Sequence, residues 1–369
     1  MKPRLADHLL RALCCGGLFA ALALSGVQAD TCRVAFDVGS SGVRAGSQGQ
    51  AAGGRVNIDY LGPLWAGHGL AETVAPTAQA FKALPPDGTE ACERVAGGYS
   101  AWRLALETRR QDTVAVLRQL QAESGVALLV IPQSVEGRYG VVGARAALGA
   151  QLRTTHILDI GGGSLQIAGE RHTYGEALGQ KVWHRLLCQA LRNAEIEHCT
   201  LQPLSDTDLA LARQLAASRL QGVARALPEP VTMTAISRPV TRGVQPAVQR
   251  LLGRAPGQAL RATDLSAAIQ VLAPLTLSET EKHIIPAVDR VQTLFSDMLL
   301  VEGLLHATAN EALQVSELDM TNVPGMLADD RAYAWAGRYE CYLARAERTG
   351  EAAYWSDPAT CIEPATVRH

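Results

Sequence analysis

The stretch that decides the fold is Leu158-Asp159-Ile160-Gly161-Gly162-Gly163-Ser164-Leu165-Gln166-Ile167. Apolar residues before the aspartate predict a buried strand, the three glycines predict a tight turn, and the second apolar run predicts a returning strand. Glycine lets backbone N–H groups approach an anion closely, so a hairpin tip of this kind is typical of phosphate binding. Asp159, at the end of the first strand, is placed to hold a divalent cation beside that phosphate. The alternative interpretation is an ordinary glycine hairpin with a solvated aspartate.

A second stretch, Arg33-Val34-Ala35-Phe36-Asp37-Val38-Gly39-Ser40-Ser41-Gly42-Val43-Arg44, repeats this plan. It contains an apolar strand, an aspartate, a glycine, hydroxyl residues and a second glycine. Two such hairpins, about one domain length apart, predict two related lobes with a cleft between them.

With both hairpins in view, the chain resembles the exopolyphosphatase and guanosine pentaphosphate phosphatase family, within the superfamily of actin and the sugar kinases. The family's DLGSNSxR-like opening hairpin is matched by Asp37–Arg44, and its DIGGGSTE-like hairpin is matched by Asp159–Gln166. Between them, Ser134–Gly143 resembles an SGxEEARLxxxGV-like segment, and Gly98–Arg103 resembles an ATSALR-like segment. Weaker similarity extends to about Asp329. The resemblance implies an α/β fold of two RNase H-like (actin-like ATPase) lobes with an interdomain cleft.

The resemblance also implies roles for individual residues. Glu136 matches the glutamate of the family's EAR segment, so it is expected to be the general base that takes a proton from the attacking water. Asp37 and Asp159 are the expected carboxylates beside a Mg²⁺ cofactor. The expected phosphate-binding residues are Gly39, Ser40, Ser41, Arg44, Arg138, Gly161, Gly162, Gly163 and Ser164. The alternatives are a solvated glutamate at a helix N-terminus and surface ion pairs for the two arginines.

Several positions depart from the family pattern. Gln166 stands where the family has a glutamate, Val135 replaces the first acid of the EEAR segment, and Ser41-Gly42 replaces an Asn-Ser pair. Ser237–Thr241 lacks the glycines of a GTGGT-like phosphate loop, and Leu318–Gly325 replaces an SDGGLREG-like loop. The first lobe therefore keeps the pattern for catalysis. The altered second lobe leaves open a changed substrate, weak activity, or binding without catalysis.

The N-terminus has the pattern of a secretory signal peptide. Lys2, Arg4 and Arg11 form a positive segment around the start of an apolar run at residues 13–24, and Val27-Gln28-Ala29 is a small-residue cleavage pattern. We expect cleavage after Ala29 and a periplasmic or secreted protein; the alternative is an uncleaved anchor. No other stretch approaches the roughly 20 apolar residues of a transmembrane helix, so no stable membrane insertion is expected after cleavage.

Export changes how the cysteines are interpreted. Those that remain after cleavage are Cys32, Cys92, Cys188, Cys199, Cys341 and Cys361. An even number in an exported chain predicts disulfides, although the sequence cannot choose among the complete pairings. Proximity favours Cys188–Cys199 and Cys341–Cys361, which leaves Cys32–Cys92. The alternative is a set of buried free thiols.

Composition excludes some classes of partner. The chain has 369 residues and is 47% hydrophobic, so it can bury a substantial core. Its formal net charge is only −2. It has no basic block and no basic residues interleaved with aromatics, which argues against a nucleic-acid partner. The histidines show no metal-ligand spacing, and no CxxC pair indicates zinc.

The pattern divides the chain into four segments. They are a signal peptide at 1–29, a first RNase H-like lobe at 30–153, a second RNase H-like lobe at 154–330, and a C-terminal helix and tail at 331–369. The predicted strands are Val34–Phe36, Val56–Leu61, Val126–Ile131, His156–Asp159, Leu165–Ala168, Val231–Ile236 and Val315–Leu318. The predicted helices are Trp102–Glu123, Tyr139–Leu152, Val182–Arg192, Asp206–Leu227, Leu265–Leu272, Val288–Leu313 and Ala332–Thr349.

The sequence thus predicts an exported phosphoanhydride hydrolase of the exopolyphosphatase type, which releases phosphate from polyphosphate by a Mg²⁺-assisted water attack. The second hypothesis is a non-catalytic protein that binds polyphosphate or another anion and retains the fold. Guanosine pentaphosphate is a poor candidate because it is a cytosolic nucleotide. A sugar kinase is a weaker interpretation because export removes the supply of ATP. The oligomeric state stays open, with a homodimer among the options.

Overall fold

The structure, a computed structural model, describes residues 32–48, 54–288, 291–318 and 322–361. These residues belong to the second of two compact units, Cys32–His369. The first unit, Met1–Thr31, contains the predicted signal peptide and lies outside the described residues.

The described residues form eleven strands in two sheets. In chain order the strands are β1 (Arg33–Val38), β2 (Val43–Ser47), β3 (Arg55–Val56), β4 (Glu93–Gly98), β5 (Ala127–Val130), β6 (His156–Ile160), β7 (Leu165–Gly169), β8 (Thr173–Glu176), β9 (Met233–Ala235), β10 (Leu260–Arg261) and β11 (Ala312–Val315). Strands β1, β5 and β6 are short apolar runs that are almost wholly buried, as expected for parallel strands covered on both faces.

The two sheets share one topology. The first has the order β3-β2-β1-β4-β5, and the second contains β8-β7-β6-β9-β11 with β10 added at the far edge. In each, three antiparallel strands are joined to two parallel ones. This repetition confirms the predicted α/β fold of two related lobes, each opened by a glycine hairpin.

Fifteen α-helices connect and cover the strands of the described residues. They are α1 (Leu61–Trp65), α2 (Val74–Ala83), α3 (Ala101–Thr108), α4 (Arg110–Ser124), α5 (Gln133–Leu148), α6 (Gln180–Leu187), α7 (Asp206–Arg219), α8 (Val223–Ala226), α9 (Gln245–Leu252), α10 (Ala262–Leu272), α11 (Leu277–Ile284), α12 (Leu294–Ala307), α13 (Val323–Leu327), α14 (Asp330–Ala336) and α15 (Tyr339–Thr349).

Helix α5 follows β5 of the first sheet and packs on the second sheet. Two glycines allow the close approach: a Cβ on Gly137 would lie 3.0 Å from the Cβ of Ala168, and one on Gly140 would lie 2.8 Å from Ile157 Cδ1. The first turn of α5 contains Glu136. The helix therefore carries the predicted base to the junction between the lobes.

The C-terminal helices complete the core of the first lobe. Val323 and Met326 of α13, and Trp335 of α14, belong to the same hydrophobic cluster as β1 and β4. The hydroxyl of Tyr339 donates to the carbonyl of Leu128 at 2.8 Å. Helix α13 falls within the segment predicted as second lobe, and the structure places it against the first sheet instead, because its buried residues face that core.

Several predicted elements are shorter or divided. The predicted helix at Trp102–Glu123 is interrupted at Arg109, whose φ of −142° and ψ of 55° are not helical. The predicted helix at Val288–Leu313 spans only α12, since Ala309 has a left-handed φ of 53° and the next apolar residues form β11. Similarly, the predicted strand at Val56–Leu61 ends at Val56. A run of apolar residues alone does not separate buried helix from buried strand.

Three disulfides join the cysteines in the pairing favoured by proximity, Cys32–Cys92, Cys188–Cys199 and Cys341–Cys361. The first ties the start of β1 to the residue before β4, the second closes the turn after α6, and the third fastens the C-terminal residues to α15. Over the described ranges, no helix combines the length and the apolar character needed to cross a bilayer.

Candidate active site

A cleft of about 600 Å³ brings the predicted site residues together. It is lined by the predicted residues Asp37, Gly39, Ser40, Ser41, Arg44, Glu136, Asp159, Gly161, Gly162 and Ser164. Gly163 and Arg138 are the predicted residues outside the lining. The two glycine hairpins and the first turn of α5 thus meet at one place.

The two glycine turns lie in contact. In the first turn, Gly39 N–H donates to the carbonyl of Gly42 at 3.1 Å, and Gly42 has a φ of +153° that suits glycine. A Cβ on Gly162 of the second turn would lie only 2.3 Å from Ser40 Oγ. Such close approach favours glycine at position 162 and brings the two turns together. Glycine turns of this kind can present backbone N–H groups to an anion.

The second turn is held from outside by the N-terminus of α6. Gln180 N–H and Lys181 N–H donate to the carbonyls of Gly161 and Gly162 at 2.9 and 2.8 Å. A Cβ on Gly179 would lie 2.4 Å from the carbonyl oxygen of Gly161 and 2.5 Å from the backbone nitrogen of Ser164. Gly179 is therefore part of the turn's support, although the sequence pattern did not single it out.

Gly163 does not line the cleft itself but lies against a residue that does. A Cβ at this position would lie 2.2 Å from Ser100 Oγ. Ser100 has an unusual φ of 45°, lies between β4 and α3, and lines the cleft. Gly163 thus permits the second turn to contact the Gly98–Arg103 segment, which resembles the ATSALR-like segment of the family.

Glu136 is buried, with 7% of its surface exposed. Arg103 Nη1 lies 2.7 Å from Glu136 Oε2, and Gln166 Nε2 donates to the same oxygen at 2.9 Å. Burial raises the pKa of Glu136 to about 7; the guanidinium of Arg103 opposes this rise, and the carboxylates of Asp159 and Asp37 add to it. A carboxylate with this pKa is a competent base near neutral pH.

Arg103 and Gln166 connect the base to the second turn. Arg103 Nη2 and Gln166 Nε2 both lie within hydrogen-bond distance of Ser164 Oγ, at 3.0 and 3.1 Å. Arg103 Nη1 also donates to the carbonyl of Ile131 at 3.0 Å. The role of Arg103 was missed by sequence reasoning, although it is the last residue of the matched Gly98–Arg103 segment.

Oxygen atoms suitable for a hard cation lie at the strand ends. Asp37 is buried, burial raises its pKa, and its Oδ2 accepts from Asn322 Nδ2 at 3.4 Å. The Oδ1 atom of Asn322 is buried without a hydrogen-bond partner among the described residues. With Asp159 also lining the cleft, these carboxylate and amide oxygens match the ligand types that Mg²⁺ takes. Asn322 has no signal in the sequence beyond its place in the altered loop.

Arg138 lies away from the cleft. It is exposed on α5, and its guanidinium lies 5.3 Å from the ring centroid of Trp355. Residues two apart on a helix point about 200° apart, so Glu136 and Arg138 face different sides. The predicted phosphate contact is therefore not supported by the position of Arg138.

The second lobe adds charged groups to the cleft that were not predicted as site residues. Lys181 Nζ lies 3.0 Å from Asp59 Oδ1, on the opposite side. Arg238 and Arg242 also line the cleft, at the position where the family pattern has a glycine loop. Asp297 is buried near Gln180, and burial raises its pKa to about 8.

The chain is similar to known proteins in family and in fold. Residues 107–321 match the Ppx/GppA phosphatase family. The PPX-GPPA enzyme of Aquifex aeolicus superimposes with a TM-score of 0.59 at 17% identity, covering 80% of this chain and 98% of that chain. An exopolyphosphatase from Cytophaga hutchinsonii gives 0.56 at 14% identity, covering 80% and 96%. A nucleoside triphosphate hydrolase from Neospora caninum gives 0.44 at 12% identity, covering 88% and 95%.

No curated protein matches the chain. The superpositions on the Aquifex and Cytophaga proteins show the actin-like two-lobe fold. The matched span covers more than half of the chain and includes both Glu136 and the second glycine turn. The chain belongs to the Ppx/GppA phosphatase family.

Proposed function

We propose that this protein is an exported hydrolase of the exopolyphosphatase type, which releases phosphate from polyphosphate. Membership of the Ppx/GppA phosphatase family supports hydrolysis of a phosphoanhydride. The observation that carries the proposal is Glu136, a buried carboxylate with a pKa near 7 at the junction of two glycine turns.

Glu136 is suited to take the proton of an attacking water. Its polar contacts from Arg103 and Gln166 both go to Oε2, so Oε1 is the oxygen that accepts the proton. Water would attack the terminal phosphorus in line with the leaving oxygen, and the rest of the chain would depart as an anion. A positioned base of this kind contributes on the order of 100- to 10,000-fold to the rate.

The glycine turns would bind the phosphate that is attacked. Their backbone N–H groups form an anion-binding concavity, and Ser40, Ser41 and Ser164 add hydroxyl donors beside them. Arg44 lines the same cleft and supplies positive charge. These groups hold the phosphate in place while Glu136 acts on the water.

Asp37 and Asp159 would hold the Mg²⁺ ion. The Oδ1 atom of Asn322 beside Asp37 has no hydrogen-bond partner within the described part of the chain, and this fits the assignment because a buried amide oxygen is costly unless something binds it. When bound, the cation would neutralise charge on the phosphate oxygens. Asp37 and Asp159 would orient it toward the glycine turns.

Export is supported by two features. The N-terminal pattern is that of a signal peptide, and the described residues contain three disulfides, which persist in oxidising compartments. We therefore place the protein in the periplasm or outside the cell.

A second candidate is a binding protein that retains the fold without turnover. Gln166 favours it, because an amide that donates to Glu136 replaces the carboxylate expected at this position. An uncharged side chain cannot assist a cation in the way that a glutamate would.

A phosphate-release assay on the purified mature protein tests the proposal. The substrates are long-chain polyphosphate, tripolyphosphate, pyrophosphate, nucleotides and phosphomonoesters, each with and without Mg²⁺. We expect Mg²⁺-dependent release from polyphosphate. Glu136→Gln should lower kcat by about 100- to 10,000-fold and leave KM nearly constant. Glu340→Gln, an exposed glutamate paired with Arg118, is the matched control.

Two results would count against the catalytic assignment. Turnover of polyphosphate by Glu136→Gln within a few-fold of wild type would remove Glu136 as the base. Binding of polyphosphate by a wild-type protein that releases no phosphate from any substrate would establish the binding function instead.

A further inference from the structure

The arginines at the second-lobe side of the cleft have no role in the chemistry described above. Arg238 and Arg242 lie one turn apart, just after β9. Both line the cleft. They occupy the place where the sequence lacks the glycines of a phosphate loop, so a different means of contacting the substrate is available there.

Their position is fixed beside the second glycine turn. Ile236 N–H donates to the carbonyl of Leu158 at 3.0 Å, and Ile160 N–H donates to Ser237 Oγ at 2.9 Å. Neighbouring strands lie about 4.8 Å apart. Arg238 directly follows Ser237, which is hydrogen-bonded to Ile160. Ile160 is the last residue of β6 and directly precedes Gly161.

Both side chains reach the same carboxylate, that of Glu317. Val240 N–H and Thr241 N–H donate to the carbonyl of Ser237 at 3.1 and 3.0 Å, which begins the turn at Pro239–Val244. Arg238 Nε lies 3.9 Å from Glu317 Oε1, and Arg242 Nη2 forms an ion pair with the same oxygen. The carboxylate of Glu317 thus contacts both guanidinium groups.

These ion pairs are exposed enough to be exchanged. The side chains of Arg238, Arg242 and Glu317 are 37%, 46% and 30% exposed. Ion pairs in such positions contribute little net stability. A phosphate group offers several oxygens to the planar guanidinium fork and commonly binds two donors at once, so it can replace Glu317 as the partner.

Resting on the proposed function, we propose that Arg238 and Arg242 form a distal subsite for phosphates of the leaving group, beyond the phosphate that is attacked. The substrate class is then a linear phosphoanhydride long enough to reach from the glycine turns to the end of β9. Glu317 pairs with both guanidinium groups in the absence of substrate and competes with the substrate phosphates for them.

Substrate length provides the test. The kinetics of Arg242→Ala and of the double variant Arg238→Ala/Arg242→Ala are measured with pyrophosphate, tripolyphosphate and long-chain polyphosphate. We expect KM for the long chain to rise about 10- to 100-fold, with kcat changed by less than about threefold, because binding is lost equally in the ground and transition states. Pyrophosphate offers only one leaving-group phosphate, so its KM should rise less than that of the long chain. Arg250→Ala, an exposed arginine on α9 outside the cleft, is the control.

Glu317→Gln separates a substrate subsite from a structural ion pair. Removing the competing carboxylate should leave KM for long-chain polyphosphate unchanged or lower it. If the ion pair only supports the fold, Glu317→Gln and Arg242→Ala will raise KM by similar factors, and they will do so for every substrate. That result would overturn the proposal. A nucleoside triphosphate should respond like tripolyphosphate, and an effect confined to the nucleotide would also overturn it.

Calorimetric binding of long-chain polyphosphate distinguishes failure of the subsite from failure of the proposed function. No phosphate release by wild type would refute the hydrolase, whereas weaker binding by Arg242→Ala would still support the subsite. Equal Kd values for wild type and both arginine variants would refute the subsite, whatever the turnover.

Discussion

Glu136 shows how burial and hydrogen bonding set the chemistry of one side chain. Burial favours its protonated form, while Arg103 favours the ionised form at a distance of 2.7 Å. The two effects leave a pKa of about 7. The residue is therefore ionised on the alkaline side of neutrality, where a general base must be ionised to act.

The acid limb of the pH profile should report this group. Because the folded pKa lies above the usual value of 4.5, kcat/KM for polyphosphate should fall about tenfold per pH unit below pH 7. Gln166→Glu places a carboxylate where the amide now donates at 2.9 Å, and like charge should move the limb to higher pH. Glu340→Gln should leave it in place. A wild-type limb near pH 4.5 would contradict the prediction.

At the scale of elements, the second glycine turn depends on the helix that follows it. The N-terminal N–H groups of α6 donate to the turn's carbonyls, and Gly179 lies against its backbone. Because the obstructing atoms belong to the backbone, a side chain at position 179 cannot be accommodated by rotating a neighbour.

Gly179→Ala should therefore distort the turn. A Cβ at 2.4 Å from the Gly161 carbonyl oxygen must displace one of the two segments. We expect a loss of roughly 1–3 kcal/mol in unfolding free energy and at least a tenfold fall in kcat/KM, since small misplacements near the chemistry are costly. Urea denaturation and phosphate release measure these effects. Gly337→Ala, whose Cβ would lie 3.7 Å from its nearest neighbour, should be nearly silent.

A carboxylate joins α5 to the C-terminal residues. The hydroxyls of Tyr139 and Tyr354 both donate to Asp329 Oδ2 and lie 2.8 Å from each other. Tyr139 is one turn beyond Glu136 on α5. The helix that carries the base is thus tied to Tyr354, near the last described residues, through one acidic residue.

Asp329→Ala should leave two buried hydroxyl groups without their acceptor. The expected cost is about 1–3 kcal/mol of unfolding free energy, measured by urea denaturation with an unchanged m-value. Glu340→Ala, which removes an exposed ion pair with Arg118, should cost less than about 1 kcal/mol. Equal effects of the two variants would show that the tyrosine–aspartate cluster has no special role.

Local elements were predictable where one short stretch contains all the information. The hairpins at Asp37 and Asp159 have their turn glycines and hydroxyl residues within a few positions. The two hairpins, and the cleft between the lobes that carry them, could therefore be predicted. Arg103 and Asn322 reach the site from distant segments, and tertiary packing alone places them there. Helix periodicity predicts different directions for Glu136 and Arg138, because they lie two residues apart on the same helix.

At the scale of the molecule, the described residues contain three disulfides, which lie in both lobes and in the C-terminal segment. If the protein is exported, the mature native chain should show no cysteine that reacts with an alkylating reagent before reduction. Mass spectrometry of alkylated protein measures this, and the reduced, denatured protein is the control in which every cysteine reacts. Three or more reactive cysteines in the native protein would contradict both the pairing and the oxidising compartment.

The first lobe is assembled from segments at opposite ends of the described chain. Its sheet is complete at β5, but Trp335, Tyr339 and Tyr342, which cover it, come after the entire second lobe. Synthesis delivers a chain from its N-terminus, so the first sheet must wait for its covering helices while the second lobe can already fold. We therefore expect a newly made chain to be able to form its second glycine turn before it can close the core that supports the first, and to complete its first lobe only after α14 and α15 are available.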